Sequence, residues 1–190
     1  HHVEMLRDGE SAYPRMIEAI DRASHSVAMA TYLFDTDRAG KDFIEALIRA
    51  HKRGVEVRVL IDGVGEWYSF PRAGWLLRRG GVPVARFHPP RLLPPALYLN
   101  LRNHRKLLLV DGCVAFTGGM NIGGRHLAQD PGNRHPVSDL HFELRGPAIS
   151  QLARAFAQDW QFSAHETWMP DVWQADAAVP GTTIARVITD

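Results

Sequence analysis

The chain has 190 residues, 45% of them apolar and 23% charged. That is the make-up of one globular domain with a full core, and it argues against a disordered or low-complexity chain. Its 22 basic and 21 acidic residues leave a net charge of +1, which argues against a dedicated nucleic-acid binder and leaves room only for a local positive site. No apolar run approaches the ~18 residues of a membrane span. The single cysteine, Cys113, has no internal disulfide partner and reads as a small buried core residue.

Val3 to Leu6 reads as a short strand, with Arg7-Asp8-Gly9 as the turn after it. Tyr13, Met16, Ile17 and Ile20 recur at the spacing of an amphipathic helix. The run Ser26 to Phe34 is nearly all apolar, as in a strand covered on both faces. Phe43, Ile44, Leu47 and Ile48 mark a second helix, and Gly54 supplies the residue such helices favour at their C-terminal end. Val55 to Ile61 is a third strand, followed at once by Asp62-Gly63. Pro71 to Arg79 reads as a third helix and Val82 to Phe87 as a fourth strand. His88 to Pro95 holds four prolines and reads as a loop.

Strand, helix, strand, helix, strand is the order of a parallel sheet with crossover helices. The expected fold class is therefore α/β: a mixed, largely parallel sheet sandwiched by helices. Two short buried strands follow, Leu107 to Val110 and Val114 to Phe116, joined by a turn at Asp111-Gly112. After a Gly- and Pro-bearing loop, Asp139 to Leu144 is another strand. Pro147 to Trp160 then places Ile149, Leu152, Ala153, Phe156 and Trp160 on one helical face. The stretch from Thr167 to Gly181 reads as a linker. The domain expectation is one catalytic unit over residues 3–165, a linker over 166–182, and the start of a second repeat over 183–190. That last part rests on the likeness of Ala185-Arg186-Val187-Ile188-Thr189-Asp190 to Val3-Glu4-Met5-Leu6-Arg7-Asp8.

The chemistry-bearing stretch is Asn103 to Asn121. His104 and Lys106 are two residues apart and share one face of an extended chain. Gly118-Gly119-Met120-Asn121 closes the second strand. The layout brings a nucleophile, a cation and an amide donor to one sheet edge, which is equipment for a phosphate. As a pattern it is H-x-K-x4-D-x6-G-G-x-N, filled by His104, Lys106, Asp111, Gly118, Gly119 and Asn121. A chance match in a chain of this length is on the order of one in ten thousand.

This pattern resembles the signature of the phospholipase D superfamily. Ala28 to Phe34, Gly54 to Gly63, Asn103 to Lys106, Phe116 to Gly123, and Ser138 to His141 ahead of Gly146-Pro147-Ala148 look like bacterial cardiolipin synthases. Gly119 departs from the Ser common in the wider superfamily and fits the Gly-Gly of that branch. The resemblance implies one half of a phospholipase D-like fold, with the second motif coming from another half of the chain or from a dimer partner. It implies a phosphatidyltransferase without cofactor or metal, acting through a phosphohistidine on phosphatidylglycerol-type phosphodiesters. His104 would be the nucleophile, Lys106 and Asn121 would hold the non-bridging oxygens, and Asp139 would orient the imidazole of His104.

Other assignments stand with two readings each. Asp111 belongs to the motif, and it is also an ordinary hairpin-turn Asp. His141 shares a strand face with Asp139 and either reaches the site or is structural. Tyr32 ends a predicted strand, where α/β sheets bind ligands, or packs in the core. Arg102 and Arg105 flank the motif and either add positive potential or are solvated. The segment Arg91 to Leu99 either rests against a bilayer or forms a buried loop. No His pair has the spacing of a known metal site together with suitable carboxylates or thiols.

The expected partners are an anionic phospholipid, a second motif-bearing half and a membrane surface, with nucleic acid disfavoured by the charge. The expected location is the cytoplasm or the periphery of the inner membrane. The competing functions are a phosphodiesterase, nuclease or phospholipase D working as a homodimer, and a non-catalytic phosphate-binding half.

Overall fold

The computed structural model describes residues 1–89, 91–92, 95–96, 103–173 and 183–188. Strand β1 (His2–Arg7) leads into helix α1 (Asp8–Arg22), and β2 (Ser26–Thr31) into α2 (Arg38–Lys52). Strand β3 (Glu56–Asp62) passes through a 3-10 turn (Gly65–Tyr68) into α3 (Ala73–Arg79), and β4 (Val84–Phe87) follows. Two-residue strands β5 (Arg91–Leu92) and β6 (Pro95–Ala96) pair with each other within the stretch expected to be a loop. The hairpin of β7 (Leu107–Val110) and β8 (Val114–Gly118) comes next, then β9 (Leu140–Arg145) and α4 (Ala148–Ala164).

Seven strands form one sheet in the order β1-β9-β8-β7-β2-β3-β4. Only β2, β3 and β4 are parallel neighbours, and the other four pairings are antiparallel. Strands β7 and β9 are the two reversed ones, so five of the seven strands still point the same way. The expected largely parallel sheet holds for strand direction. It does not hold for neighbours on the β1 side, because the reversed strands are interleaved there.

Alternation along the buried strands builds a core on each face of the sheet. Val27, Met29, Val57, Val59, Ile61, Leu108 and Val110 point to the side covered by α1, α2 and α3. The periodic residues predicted for the first two helices lie there, Tyr13, Met16, Ile20, Phe43, Ile44 and Leu47 all being buried. Helix α2 is capped by the Asp37 carboxylate, which accepts from the Gly40 N–H at 3.0 Å, and it ends at Gly54 with φ +90°.

On the opposite face the sheet presents small residues, Ala28, Ala30 and Ala115, and the space is filled by large rings. Phe156 and Trp160 come from α4, while Trp168 and Trp173 come from the segment after it. The first part of the stretch read as a linker lies against this face. Trp173 is 1% exposed, and its indole N–H donates to Ser26 Oγ at 2.8 Å. The Trp168 indole N–H donates to Glu56 at 2.7 Å, so residues 166–173 are packed onto the domain. Residues 183–188, expected to open a second repeat with a strand, form none here, and the Val187 N–H donates to the Gln151 side chain. Cys113 is exposed at the hairpin turn, not buried as its apolar neighbours suggested.

Candidate functional site

Strand direction gathers the motif. Strand β2 finishes at Thr31 and β8 at Gly118, while the reversed β7 begins at Leu107. Leu107 lies opposite Thr117, whose hydroxyl donates to the Lys106 carbonyl at 2.9 Å. His104 and Lys106, just before β7, thus meet Gly118 to Asn121, just after β8, at the end of the sheet where β2 and β3 also stop.

Tyr32, one residue past β2, is the hub. Its ring centroid lies 5.2 Å from that of His104, and Lys106 Nζ lies 5.7 Å from the Tyr32 ring. The next residue, Leu33, donates its N–H to Asn121 Oδ1 at 3.0 Å. This bond fixes the orientation of the Asn121 amide: the oxygen faces the backbone, so the donor Nδ2 faces the other way.

The His104 side chain is exposed at the edge of the site. Partial desolvation, with Lys106 adding to it and Asp62 opposing it, holds its pKa below the usual histidine value. A lowered value favours the neutral ring that a nucleophilic imidazole needs. Lys106 is buried, and its Nζ donates to the His104 carbonyl at 2.7 Å. Burial pushes its pKa down to about 8 against the pull of Asp139, so at neutral pH it is still charged and little solvated. A cation in that state binds an anion strongly, because little hydration is lost on contact.

The segment carrying His104 is anchored by acids that the sequence reading left aside. Asp62, at the end of β3, accepts from the Asn103 N–H at 3.3 Å and from Val64 and Gly65 N–H at 2.9 and 3.1 Å. Asp159, on α4, accepts from the Asn103 amide at 2.8 Å and from Arg105 at 2.5 Å. Arg105 is therefore an anchor and not a source of free positive potential. Arg102 lies outside the described residues, as do Leu93, Pro94 and Leu97 to Leu99 of the proposed bilayer segment.

Asp139 stands at the same sheet end. Its Oδ1 accepts from the Leu140 N–H at 2.7 Å, and no hydrogen bond among the described residues joins it to His104. It acts electrostatically on Lys106, His126 and His141. Its backbone is clasped by Asp8, with Asp139 N–H to Asp8 Oδ1 at 2.9 Å and Asp8 N–H to Asp139 O at 3.0 Å. The reading of Arg7-Asp8-Gly9 as a turn gave no hint of this.

Gly118 and Gly119 allow the approach. A Cβ at Gly119 would fall 2.1 Å from Asp139 Oδ1, and one at Gly118 would fall 2.4 Å from the Leu140 carbonyl oxygen.

Asp111 is not part of this site. It sits at the far end of β7, with its carboxylate accepting from the backbone N–H groups of Ser24, His25 and Ser26 and from the Ser24 hydroxyl, at 2.7 to 3.0 Å. These bonds lower its pKa despite partial burial and secure the entry to β2. Asp111 is a structural residue.

His141 resolves toward the interior. It is 1% exposed, pairs with Gly118 across β8 and β9, and has no hydrogen-bond partner among the described residues on either ring nitrogen. Burial, with help from His126 and Lys106, pushes its pKa down to about 4 against Asp139. His126, which the sequence reading passed over, is likewise buried, with neither ring nitrogen hydrogen-bonded among the described residues, and its pKa is lowered mainly by burial. Two buried imidazoles thus lie within electrostatic reach of Asp139. Among the described residues, no group of three or more His, Cys, Asp or Glu side chains is placed to hold a metal ion, and no helix is long and apolar enough to cross a membrane.

A mixed sheet with a His, a buried Lys and an oriented Asn at one end defines a phospholipase D-like domain. Comparison with known proteins makes the class specific. The family described as "Cardiolipin synthase, PLD-like domain" matches residues 16–160, and the chain belongs to that family. Its relatives include a cardiolipin synthase of Alkalihalophilus pseudofirmus, 36% identical over 164 residues, covering 86% of this chain and 32% of the relative. The major cardiolipin synthase ClsA of Bacillus subtilis is 34% identical over 172 residues, covering 89% and 36%. The chain spans about a third of the length of these relatives.

Among solved structures, the phospholipase D family member Nuc of Salmonella typhimurium matches with a TM-score of 0.60 at 24% identity, over 86% of this chain and 94% of that one. A phosphatidylserine synthase of Haemophilus influenzae gives a TM-score of 0.62 at 16% identity, over 94% and 40%. At these identities the two structures speak for the fold alone.

Proposed function

We propose that the chain is one motif-bearing half of a phosphatidyltransferase of the cardiolipin synthase type. In this reading a neutral ring nitrogen of His104 attacks the phosphorus of a phosphatidylglycerol-type diester. The bond from phosphorus to the leaving glycerol oxygen breaks, and an acid from a second motif-bearing half protonates that oxygen. A hydroxyl of a second phospholipid then attacks the phosphohistidine, loses its proton to the same acid, and releases His104. Lys106 and the Nδ2 of Asn121 hold the non-bridging oxygens through both transfers. Asp139 helps Lys106 keep its charge. The membrane surface is where substrate and acceptor meet.

The observation that carries the reading is the Tyr32 ring lying close to both His104 and Lys106, with Asn121 tied to the adjacent Leu33. The test is to incubate the protein with phosphatidylglycerol labelled in its phosphatidyl group, quench under base, and map the label. Label on His104, absent from His104→Ala, is the expected result. Label that persists in His104→Ala would remove His104 as nucleophile. Labelling that rises with the square of protein concentration would show that two copies supply the two motifs.

A further inference from the structure

From the 3-10 turn after β3 into α3 the chain exposes large rings that neither the core nor the site uses. Trp67, Tyr68, Phe70 and Trp75 are 61%, 69%, 94% and 50% exposed. Large exposed rings gathered in one short stretch of chain mark a candidate interaction site, since a soluble domain seldom leaves so much aromatic surface bare. Arg72 lies over the Trp67 ring at 5.2 Å and Arg79 over the Trp75 ring at 5.4 Å, so the rings are interleaved with cations. The stretch from Trp67 to Arg79 holds three arginines and no acidic residue, although the chain as a whole is nearly neutral.

Its position ties it to the catalytic edge. The patch leaves β3 at the sheet end that carries His104, and Gly65 packs so closely on Tyr32 that a Cβ there would fall 1.7 Å from the Tyr32 carbonyl oxygen. Ser69, within the patch, donates to Asp35 Oδ1 at 2.7 Å, and Asp35 in turn donates its N–H to Ile122, next to Asn121. The patch is thus mounted on the same backbone that positions the site.

We propose that this aromatic-arginine face docks the domain onto an anionic lipid surface and so presents His104 to phosphodiesters held in the headgroup layer. Protruding Trp, Tyr and Phe rings suit the boundary between headgroups and acyl chains, and arginines among them suit anionic headgroups. A second copy of the chain is the poorer occupant. In a twofold contact the patch would face itself, setting three arginines against three. The proposal rests on the phosphatidyltransferase reading for its purpose, but its test does not need turnover.

The test is co-sedimentation of the 190-residue chain with vesicles of phosphatidylcholine, with and without phosphatidylglycerol. Binding is expected only with phosphatidylglycerol present, and a triple variant Trp67→Ser, Tyr68→Ser, Phe70→Ser should bind about tenfold more weakly or less. Arg72→Gln with Arg79→Gln should abolish the preference for phosphatidylglycerol while circular dichroism stays that of the parent. Failure of the parent to bind, or a triple variant that binds equally, would overturn the proposal. So would unchanged vesicle binding together with a variant that sediments at half the parent's mass, which would make the patch a protein interface. Vesicle binding lost in the variants, in a protein that never labels on His104, would support the docking face and sink the catalytic reading alone.

Discussion

His141 gives the sharpest quantitative expectation. Its ring is buried, without a hydrogen-bond partner among the described residues, and takes up a proton only near pH 4 in the folded protein, against about 6.5 in an unfolded chain. Between those values the unfolded state binds more protons. The stabilisation from a neutral His141 is therefore complete above about pH 6.5 and is lost as pH falls toward 4, below which this group takes no further part. At about 1.4 kcal/mol for each pH unit of displacement, the window is worth about 3 kcal/mol, of which about 2 falls between pH 7 and 4.5.

The assay is urea unfolding at half-unit steps from pH 7 to 4.5, on the parent and on His141→Gln, which cannot titrate. His126 and His104 have lowered values too and give both proteins a residual slope of the same sign. The parent should lose about 2 kcal/mol more than the variant across the range. Carboxylates with depressed values, such as Asp111 and Asp8, act below this window. Equal slopes for the two proteins would refute the argument whatever their absolute stabilities.

Two further substitutions separate binding equipment from scaffold. Lys106 holds its proton less firmly folded than unfolded, so its charge costs stability at neutral pH; Lys106→Met should raise the unfolding free energy by roughly 1 to 3 kcal/mol while abolishing label on His104. In the parent, labelling should also decline as pH rises through about 8, where Lys106 becomes neutral. Asp111→Ala should cost roughly 2 to 3 kcal/mol in urea unfolding, since one carboxylate serves three backbone N–H groups and a hydroxyl, while labelling per folded molecule stays unchanged. Labelling that fell without a stability change would put Asp111 back in the chemistry.

The cluster of His104, Lys106, Gly118, Gly119 and Asn121 was legible because one hairpin carries it, so sequence spacing and spatial spacing agree. The same logic removes Asp111: five residue steps along an extended chain put it about 16 Å from Lys106, at the other end of β7. What sequence spacing could not reveal was support from distant elements. Asp62 and Asp159 hold the His104 segment from a strand and a helix, and Asp8 clasps Asp139 across 131 residues. Each looked like an ordinary turn or helix-surface acid. Trp168 and Trp173 were missed for another reason: an irregular segment has no period, so burial of its rings leaves no pattern to read. The interleaving of β7 and β9 among the parallel strands was hidden as well, because alternation of strands and helices specifies direction without specifying neighbours.

The five tryptophans divide into two optical populations. Trp160, Trp168 and Trp173 are buried in one aromatic cluster, with the Arg58 guanidinium 5.8 Å from the first ring and 5.0 Å from the second. Trp67 and Trp75 face solvent beside the catalytic edge. A water-soluble quencher such as iodide reaches only the second pair while the domain is folded. The unquenched blue emission then reports the integrity of the α4 side, and the quenchable red emission reports whatever covers the other. Folding and surface engagement are therefore readable separately from one unmodified sample, by the colour of its own fluorescence.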